Sequence, residues 1–417
     1  MRRKPGLYEI SACEQELEKC VHCGLCQAVC PTYLATGYEG KTARGKISLM
    51  KGLLEGTVEP SRSLSDLFDD CLSCYACRTV CPAGVETERL WIAARQDLSE
   101  ISSTGRLKKI AFRSTIGKPS LFELGVRLAS FLFGFDPQDR FETGVPWGKG
   151  RPFRGAPYLH RMKDEYTPSS QPAGTVGLLV GCSNNLITPW ILDSTVKVLT
   201  ASGWRVIVPK DQVCCGAPAI NNGDWETARR LAIHNVEVFG GLGVDFITSP
   251  DATCAGAFAR DYPELFAGKK TLIGRVEEVS RRNFELGQLL CYALRQKRLH
   301  FKPFPGAVTV HDSCHSTHIR GGSRWRELLN SIDRLELREM RDSDRCCGFG
   351  GSFSVFHRDE ADEITKWKIN RILETGAPQV LVGSPGCLIR LRSSLPEEFQ
   401  GAVRFRHVVE LLADLVV

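Results

Sequence analysis

The chain has 417 residues, 18 of them cysteine, with 54 Lys and Arg against 48 Asp and Glu and a formal net charge of +6. Such a length accommodates two or three domains with a sizeable core, and the composition excludes a disordered or fibrous chain. Basic residues are dispersed, so no nucleic-acid partner is expected; Met1 to Ala12 carry Arg2, Arg3 and Lys4 with no apolar stretch behind them, so no secretory signal is read and metal-ligating thiols in a reducing cytoplasm are expected in place of disulfides.

The first element in chain order is a doubled cysteine run. Cys20, Cys23, Cys26, Cys30 and Pro31 are answered 51 residues later by Cys71, Cys74, Cys77, Cys81 and Pro82. Each reads C-x-x-C-x-x-C-x-x-x-C-P, the spacing in which three thiolates converge on one [4Fe-4S] cubane and the fourth serves a second cluster. Two clusters are therefore expected, one on Cys20, Cys23, Cys26 and Cys81, the other on Cys71, Cys74, Cys77 and Cys30. Zinc also uses C-x-x-C pairs, but its tetrahedral sites do not call for a doubled run of four with proline after the last. Between the runs, Ile47, Met50, Leu53 and Leu54 recur at helical spacing from Ala43 until Gly56, with Arg44 and Lys46 either moderating the clusters' negative field or facing solvent. Residues 1–100 thus read as a helical ferredoxin-like module, with Cys13 a buried or free thiol.

Residues 101–170 read as a connector. Leu121 to Phe135 is apolar but is interrupted by Glu123 and Arg127, and it falls short of the ~20 residues that span a bilayer. Burial between domains or docking on a partner or membrane surface suits it. The passage Pro146 to Pro157 is rich in Pro, Gly and Arg and reads as extended chain.

After residue 170 the chain repeats itself. The apolar strand Val176 to Val180 leads to Cys182, and Val308 to Val310 leads to Cys314; Cys214-Cys215-Gly216 is matched by Cys346-Cys347-Gly348, and Cys254 by Cys387. Offsets of 132, 132 and 133 residues mark a duplication, 171–300 and 301–417. Within the first copy, helix 189–200, strand 205–208, helix 224–239 and strand 244–248 alternate; the second has helix 324–331, strand 335–339, helix 360–374 and strand 379–382. Alternation of this kind predicts parallel sheets covered by helices, with ligands gathered beyond the carboxyl ends of the strands. The class expected is α+β overall, a helical two-cluster module followed by two tandem α/β cysteine-rich subdomains. Each offers four thiols to one site: Cys182, Cys214, Cys215 and Cys254, then Cys314, Cys346, Cys347 and Cys387. Iron–sulfur clusters, structural zinc and reactive dithiols all remain open for them, while Cys13 and Cys291 lack any metal-spaced neighbour.

The pattern C…CCG…C, twice, behind a two-cluster module resembles the cysteine-rich CCG-domain iron–sulfur proteins. It looks most like the iron–sulfur subunit of glycolate oxidase and the lactate-utilisation iron–sulfur proteins, with kinship to the catalytic subunit of heterodisulfide reductase. His311-Asp312-Ser313-Cys314 and Cys346-Cys347-Gly348-Phe349-Gly350-Gly351 carry the lactate-branch likeness. Heterodisulfide reductases end each repeat in C-x-x-C and use five cysteines for a non-cubane cluster. Here Asp251 and Ser384 stand where the extra sulfurs would be, which weakens a disulfide-reducing reading. Those two residues could act as oxygen ligands or as ordinary loop residues, and His311, His315 and His318 could ligate or tune iron or serve as core histidines.

No dinucleotide fingerprint, Ser-His-Asp set or carboxylate pair stands out, and Gly348 to Gly351 follows the Cys-Cys pair rather than filling a strand-to-helix turn. The chain is expected to carry electrons without a hydride-transfer site of its own. The resemblance implies one or two further iron–sulfur clusters in the repeats and FAD only on a partner subunit that oxidises glycolate or D-lactate. Quinone or another acceptor would receive the electrons, with the chain at the inner face of the membrane through peripheral association. The alternative it implies is a heterodisulfide-reductase-like subunit that reduces a disulfide at a C-terminal cluster.

Overall fold

A computed structural model describes residues 7–99, 113, 124 and 157–417. The apolar segment 121–135 and the passage 146–157, both read as connector, lie outside the described residues apart from Leu124 and Pro157.

The first module is helical. The expected spacer helix runs Ala43–Glu55; Thr42 caps its start by accepting from the Gly45 amide, and Gly56 ends it in the left-handed conformation at φ +82°. Its apolar stripe of Ile47, Met50 and Leu53 is buried against Leu90, Trp91 and Leu98 of the helix Thr87–Ser99. Pro31 occupies the first turn of Pro31–Thr36, where its missing N–H costs nothing, so the first Cys-Pro pair turns the chain out of its cysteine loop into a helix; Pro82 sits in a turn instead.

The remainder comprises two sheets. Strands β1 (Glu165–Tyr166), β2 (Thr175–Leu178), β3 (Arg205–Ile207), β4 (Phe246–Ser249) and β5 (Asn283–Glu285) form the first, in the order β1-β3-β2-β4-β5. The second holds β6 (Gly306–His311), β7 (Leu335–Leu337), β8 (Gln379–Val382) and β9 (Arg404–His407), in the order β7-β6-β8-β9. All neighbours are parallel except β1 and β3, so the stretch read as connector ends by adding an antiparallel edge. The alternation of strand and helix comes out as read. Three strands were not read: β1 lies in the stretch read as connector, and β5 and β9 are short and polar, with no alternation to announce them, each extending its sheet by one parallel partner.

The two copies are locked together by an exchange of helices. Leu286–Arg295, following β5, packs on Trp325–Leu329 of the second copy, while Val408–Leu415, following β9, packs on Pro189–Ala201 of the first. One core therefore holds side chains of both, among them Leu178, Leu199 and Leu290 with Val308, Leu328 and Leu412.

Candidate functional site

The two cysteine runs fold into neighbouring cavities. One is lined by Cys20, Cys23, Cys26 and Cys81, the other by Cys30, Cys71, Cys74 and Cys77, so each wall takes three thiols from one run and the fourth from the other. Cys77 also reaches the edge of the first cavity. Local backbone explains the convergence. His22 and Ser73 take positive φ, 55° and 51°, just before the second cysteine of each run, and Gly24 and Tyr75 take 83° and 62° just after it. Left-handed residues on both sides of a cysteine fold the loop tightly enough to aim successive sulfurs inward.

The cavity walls are polar where sulfur needs it. Thr32 Oγ1 lies 3.3 Å from Cys30 Sγ, and Thr87 Oγ1 3.3 Å from Cys77 Sγ. Buried Arg95 donates to the carbonyls of Phe68 and Cys71 and to Ser73 Oγ, fixing the second loop. Lys46 is buried at the second cavity and donates to the Asp70 carbonyl at 3.0 Å, while Lys41 pairs with Asp70 at 2.5 Å and with Glu360. So Lys46 does not face solvent. Arg44 does stay near the surface, held by Glu39 and the His22 carbonyl. Burial pushes the Cys77 thiol up to about 12 and Cys74 well above its ordinary value.

In each repeat the four predicted thiols also meet. Cys182 Sγ lies 3.8 Å from Cys214 Sγ, and the contacts continue from Cys214 to Cys215 and on to Cys254. Their counterparts run from Cys314 through Cys346 to Cys347, which lies 3.1 Å from Cys387 Sγ. The strand order makes this possible: Cys182 follows β2, Cys214-Cys215 follow β3, and Cys254 follows β4 on the other side of β2, at the switch point of a parallel sheet. The glycine of each Cys-Cys-Gly is required. Gly216 and Gly348 stand at φ +87° and +85°, and a Cβ on Gly348 would lie 2.5 Å from Thr365 Oγ1.

Neutral thiols have little reason to crowd in this way. A contact from Cys215 lowers the Cys254 pKa, yet burial and the Asp251 carboxylate outweigh it and hold the thiol at about 12; contact with Cys214 and burial push Cys182 well up. A metal centre removes the conflict, because it binds the thiolates and displaces their protons. Four thiols around each of the two cavities of the first module fit the donor set of a [4Fe-4S] cubane, and the sulfur-rich repeat sites fit soft-metal ligation.

Several single residues fall differently from the cysteines. Asp251 and Ser384, at the positions of the missing sulfurs, hydrogen-bond each other across the two repeats, Ser384 Oγ donating to Asp251 Oδ1 at 3.0 Å. Neither is an ordinary loop residue. Asp251 caps the helix Ala252–Gly256 by accepting from the Thr253 amide, and Ser384 precedes Pro385–Ser393. His315 packs edge-on against Tyr75 at 5.7 Å, and His318 meets Thr79 Oγ1 at 2.9 Å, so both face the first module. His311 lies with Cys347 and Cys387, their ligand atoms all within 4.8 Å of one another. Burial and the Lys368 cation push it well below the ordinary histidine value; the Ser343 carbonyl partly offsets this without meeting either ring nitrogen at hydrogen-bonding geometry. Cys13 and Cys291 are buried and line neither cavity of the first module; Cys13 sits in the module's apolar core and Cys291 donates to the Arg324 carbonyl. Thr32, Thr87, Arg95 and Lys41 were missed in the sequence. Only the Thr following Cys30-Pro31 carried a local signal.

The sites also meet one another. Cys74 of the second run packs in one cluster with Leu72, Cys314, Cys346 and Phe353, so the first module's second cavity abuts the second repeat's thiols. Among the described residues no helix is long and apolar enough to cross a membrane.

Residues 16–85 match the 4Fe-4S dicluster domain, and residues 176–259 and 308–392 each match the cysteine-rich domain. The probable glycolate oxidase iron–sulfur subunit of Bacillus subtilis is 28% identical over 96% of this chain and 94% of its own length. Lactate utilization protein A of Exiguobacterium is 32% identical, covering 57% of this chain and 97% of its own. A crystal structure of a hypothetical protein from Helicobacter pylori shares the fold at TM-score 0.54 with 11% identity, over 99% of this chain and 72% of that one. A dicluster domain joined to two cysteine-rich domains is the arrangement found here from Cys20 to Cys387, and the chain belongs to that family of iron–sulfur proteins, the one that includes glycolate oxidase iron–sulfur subunits and lactate utilization protein A.

Proposed function

We propose that this chain is the electron-carrying iron–sulfur subunit of a flavin-dependent 2-hydroxyacid dehydrogenase, acting on glycolate or D-lactate. Electrons come from an FAD-containing partner subunit and pass on to quinone or another acceptor, with the chain in the cytoplasm, associated peripherally with the inner face of the membrane. The relatives' names support the substrate class. One observation supports the carrier role above the rest: Cys74 packs against Cys314 and Cys346, so thiol-lined sites adjoin one another from the first module into the second repeat. A carrier needs such adjacency, and a set of separate structural zinc staples does not.

In this reading Cys20, Cys23, Cys26 and Cys81 hold one [4Fe-4S] cluster, Cys71, Cys74, Cys77 and Cys30 a second, and the two repeat foursomes hold further iron–sulfur centres. When bound, these groups supply one-electron storage and release. The polypeptide sets the conditions. Burial keeps water from Cys74 and from most of the repeat sulfurs, the Thr32 and Thr87 hydroxyls donate to thiolate, and buried Lys46 places positive charge by the second site while that of Lys41 is taken up by Asp70 and Glu360. No hydride acceptor is needed on this chain, since the flavin partner performs the two-electron step.

The test is anaerobic purification followed by metal analysis and mixing with the FAD subunit. Brown protein with iron clearly above eight per chain, bleached by glycolate or D-lactate only when the flavin subunit is present, is the expected result. Colourless protein rich in zinc, or bleaching that needs a disulfide couple in place of the hydroxyacid, would refute it.

A further inference from the structure

The second repeat holds a donor that the first lacks. His311 ends β6, is fully buried, and neither ring nitrogen meets a hydrogen-bond partner. Leaving a buried polar group unpaired costs on the order of 1–3 kcal/mol, so such a group calls for a partner. Its nearest chemistry is sulfur: a ring nitrogen, Cys347 Sγ and Cys387 Sγ all lie within 4.8 Å of one another. Two soft thiols and an imidazole facing one point form three corners of a metal polyhedron.

The duplication provides the comparison. The residue 132 positions before His311 is Leu179, also fully buried, so the first copy fills the same place with hydrocarbon. Asp251 and Ser384 cannot supply the second repeat with its missing donor in the same way, because the Ser384 hydroxyl is already directed at the Asp251 carboxylate. Copy two therefore has nitrogen where copy one has an alkyl group.

We propose that His311 is a nitrogen ligand of the metal centre held by Cys314, Cys346, Cys347 and Cys387, which gives the second repeat a mixed sulfur and nitrogen donor set and leaves the first without a nitrogen donor. The proposal rests on reading the repeats as metal centres. A neutral imidazole adds no negative charge, so the two duplicated sites differ in donor set while their matching cysteines carry the same charge.

The experiment uses the full chain, purified without oxygen and labelled with ¹⁵N-histidine. Elemental analysis comes first, then pulsed EPR of the reduced iron centres, or absorption at the zinc edge if zinc is found. The expected result is histidine nitrogen coupling to one centre in the native chain, absent in His311→Leu while the signals of the two clusters of the first module persist. His311→Cys is the second variant; it keeps the metal and loses the nitrogen coupling, which separates ligand loss from misfolding. Metal in the repeats with no histidine coupling, or coupling that survives in both variants, overturns the proposal and leaves the metal-centre reading standing. Repeats that hold no metal at all overturn both.

Discussion

Two threonine hydroxyls touch the sulfurs of the first module, Thr32 at Cys30 and Thr87 at Cys77, each at 3.3 Å. A hydroxyl that donates to a thiolate stabilises the more negative, reduced state of whatever the thiolate binds, so it raises the potential. The residue after a Cys-Pro pair is local enough to notice, but Thr87 is ten residues from its sulfur and belongs to the next helix. Thr87→Val keeps the shape and removes the donor. If the lost bond favours the reduced state by ~0.5–1 kcal/mol, the potential of the Cys71–Cys74–Cys77–Cys30 centre falls by roughly 20–40 mV. An anaerobic redox titration followed by EPR reads this directly; an unchanged or raised potential would count against the hydroxyl's role. Iron content should stay at the native level, which distinguishes tuning from damage.

At the scale of elements, the exchanged helices set the mechanics. Leu412 is fully buried in the core shared by both copies, on the helix that packs against Pro189–Ala201. Leu412→Ala should cost ~2–5 kcal/mol. Hydrogen exchange should quicken in Pro189–Ala201, two hundred residues away in sequence, as well as in the mutated helix. Loss of protection confined to the second copy would contradict the exchange. His407 links the copies from the other side. Its Nε2–H donates to the Pro250 carbonyl at 2.9 Å while Nδ1 accepts from the Val409 amide at 3.2 Å, so one neutral tautomer satisfies both and a second proton would break the cap. Burial holds its pKa at about 4, against ~6.5 in the unfolded chain. The unfolded state therefore takes up the proton first as pH falls. Stability from this group is fully present above ~6.5, declines as pH drops toward 4, and the total loss is about 3 kcal/mol. Urea midpoints between pH 7.5 and 4.5 should fall more steeply for the native chain than for His407→Gln; parallel slopes would assign the acid sensitivity elsewhere.

These same elements show what could be read from the chain alone. The cysteine runs were legible because their ligand spacing is local, and the repeats because a constant offset survives divergence. The strand that ends at His311 was visible as Val308 to Val310, but the histidine's partners lie far along the chain at Cys347 and Cys387. Asp251 and Ser384 stood out as missing sulfurs, with oxygen ligation or an ordinary loop role both open. Their mutual hydrogen bond spans 133 residues and depends on how one repeat docks on the other, which neither periodicity nor composition encodes. The exchanged helices were hidden for the same reason, since an amphipathic helix announces that it packs and not against what.

For the whole molecule, charge follows metal loading. The polypeptide with neutral thiols carries +6 and has an isoelectric point near 8.5. An oxidised cubane on four thiolates contributes roughly −2, so loading the first module alone leaves about +2, and equally charged centres in both repeats take the chain to about −2. The sign at neutral pH therefore reports whether the repeats are occupied. Burial makes the change a property of the folded protein: the repeat thiols sit well above their ordinary pKa values with their neighbours unmetallated, and they ionise only by exchanging protons for metal. Isoelectric focusing under strict anaerobiosis should place the native protein below pH 7 and the same protein, stripped by an iron chelator under denaturing conditions and returned to buffer, near 8.5. A native band that stays basic while the iron signals of the first module are intact would mean that the repeats hold no thiolate-bound centre, and the adjoining sites that lead toward Cys314 and Cys346 would end at Cys74.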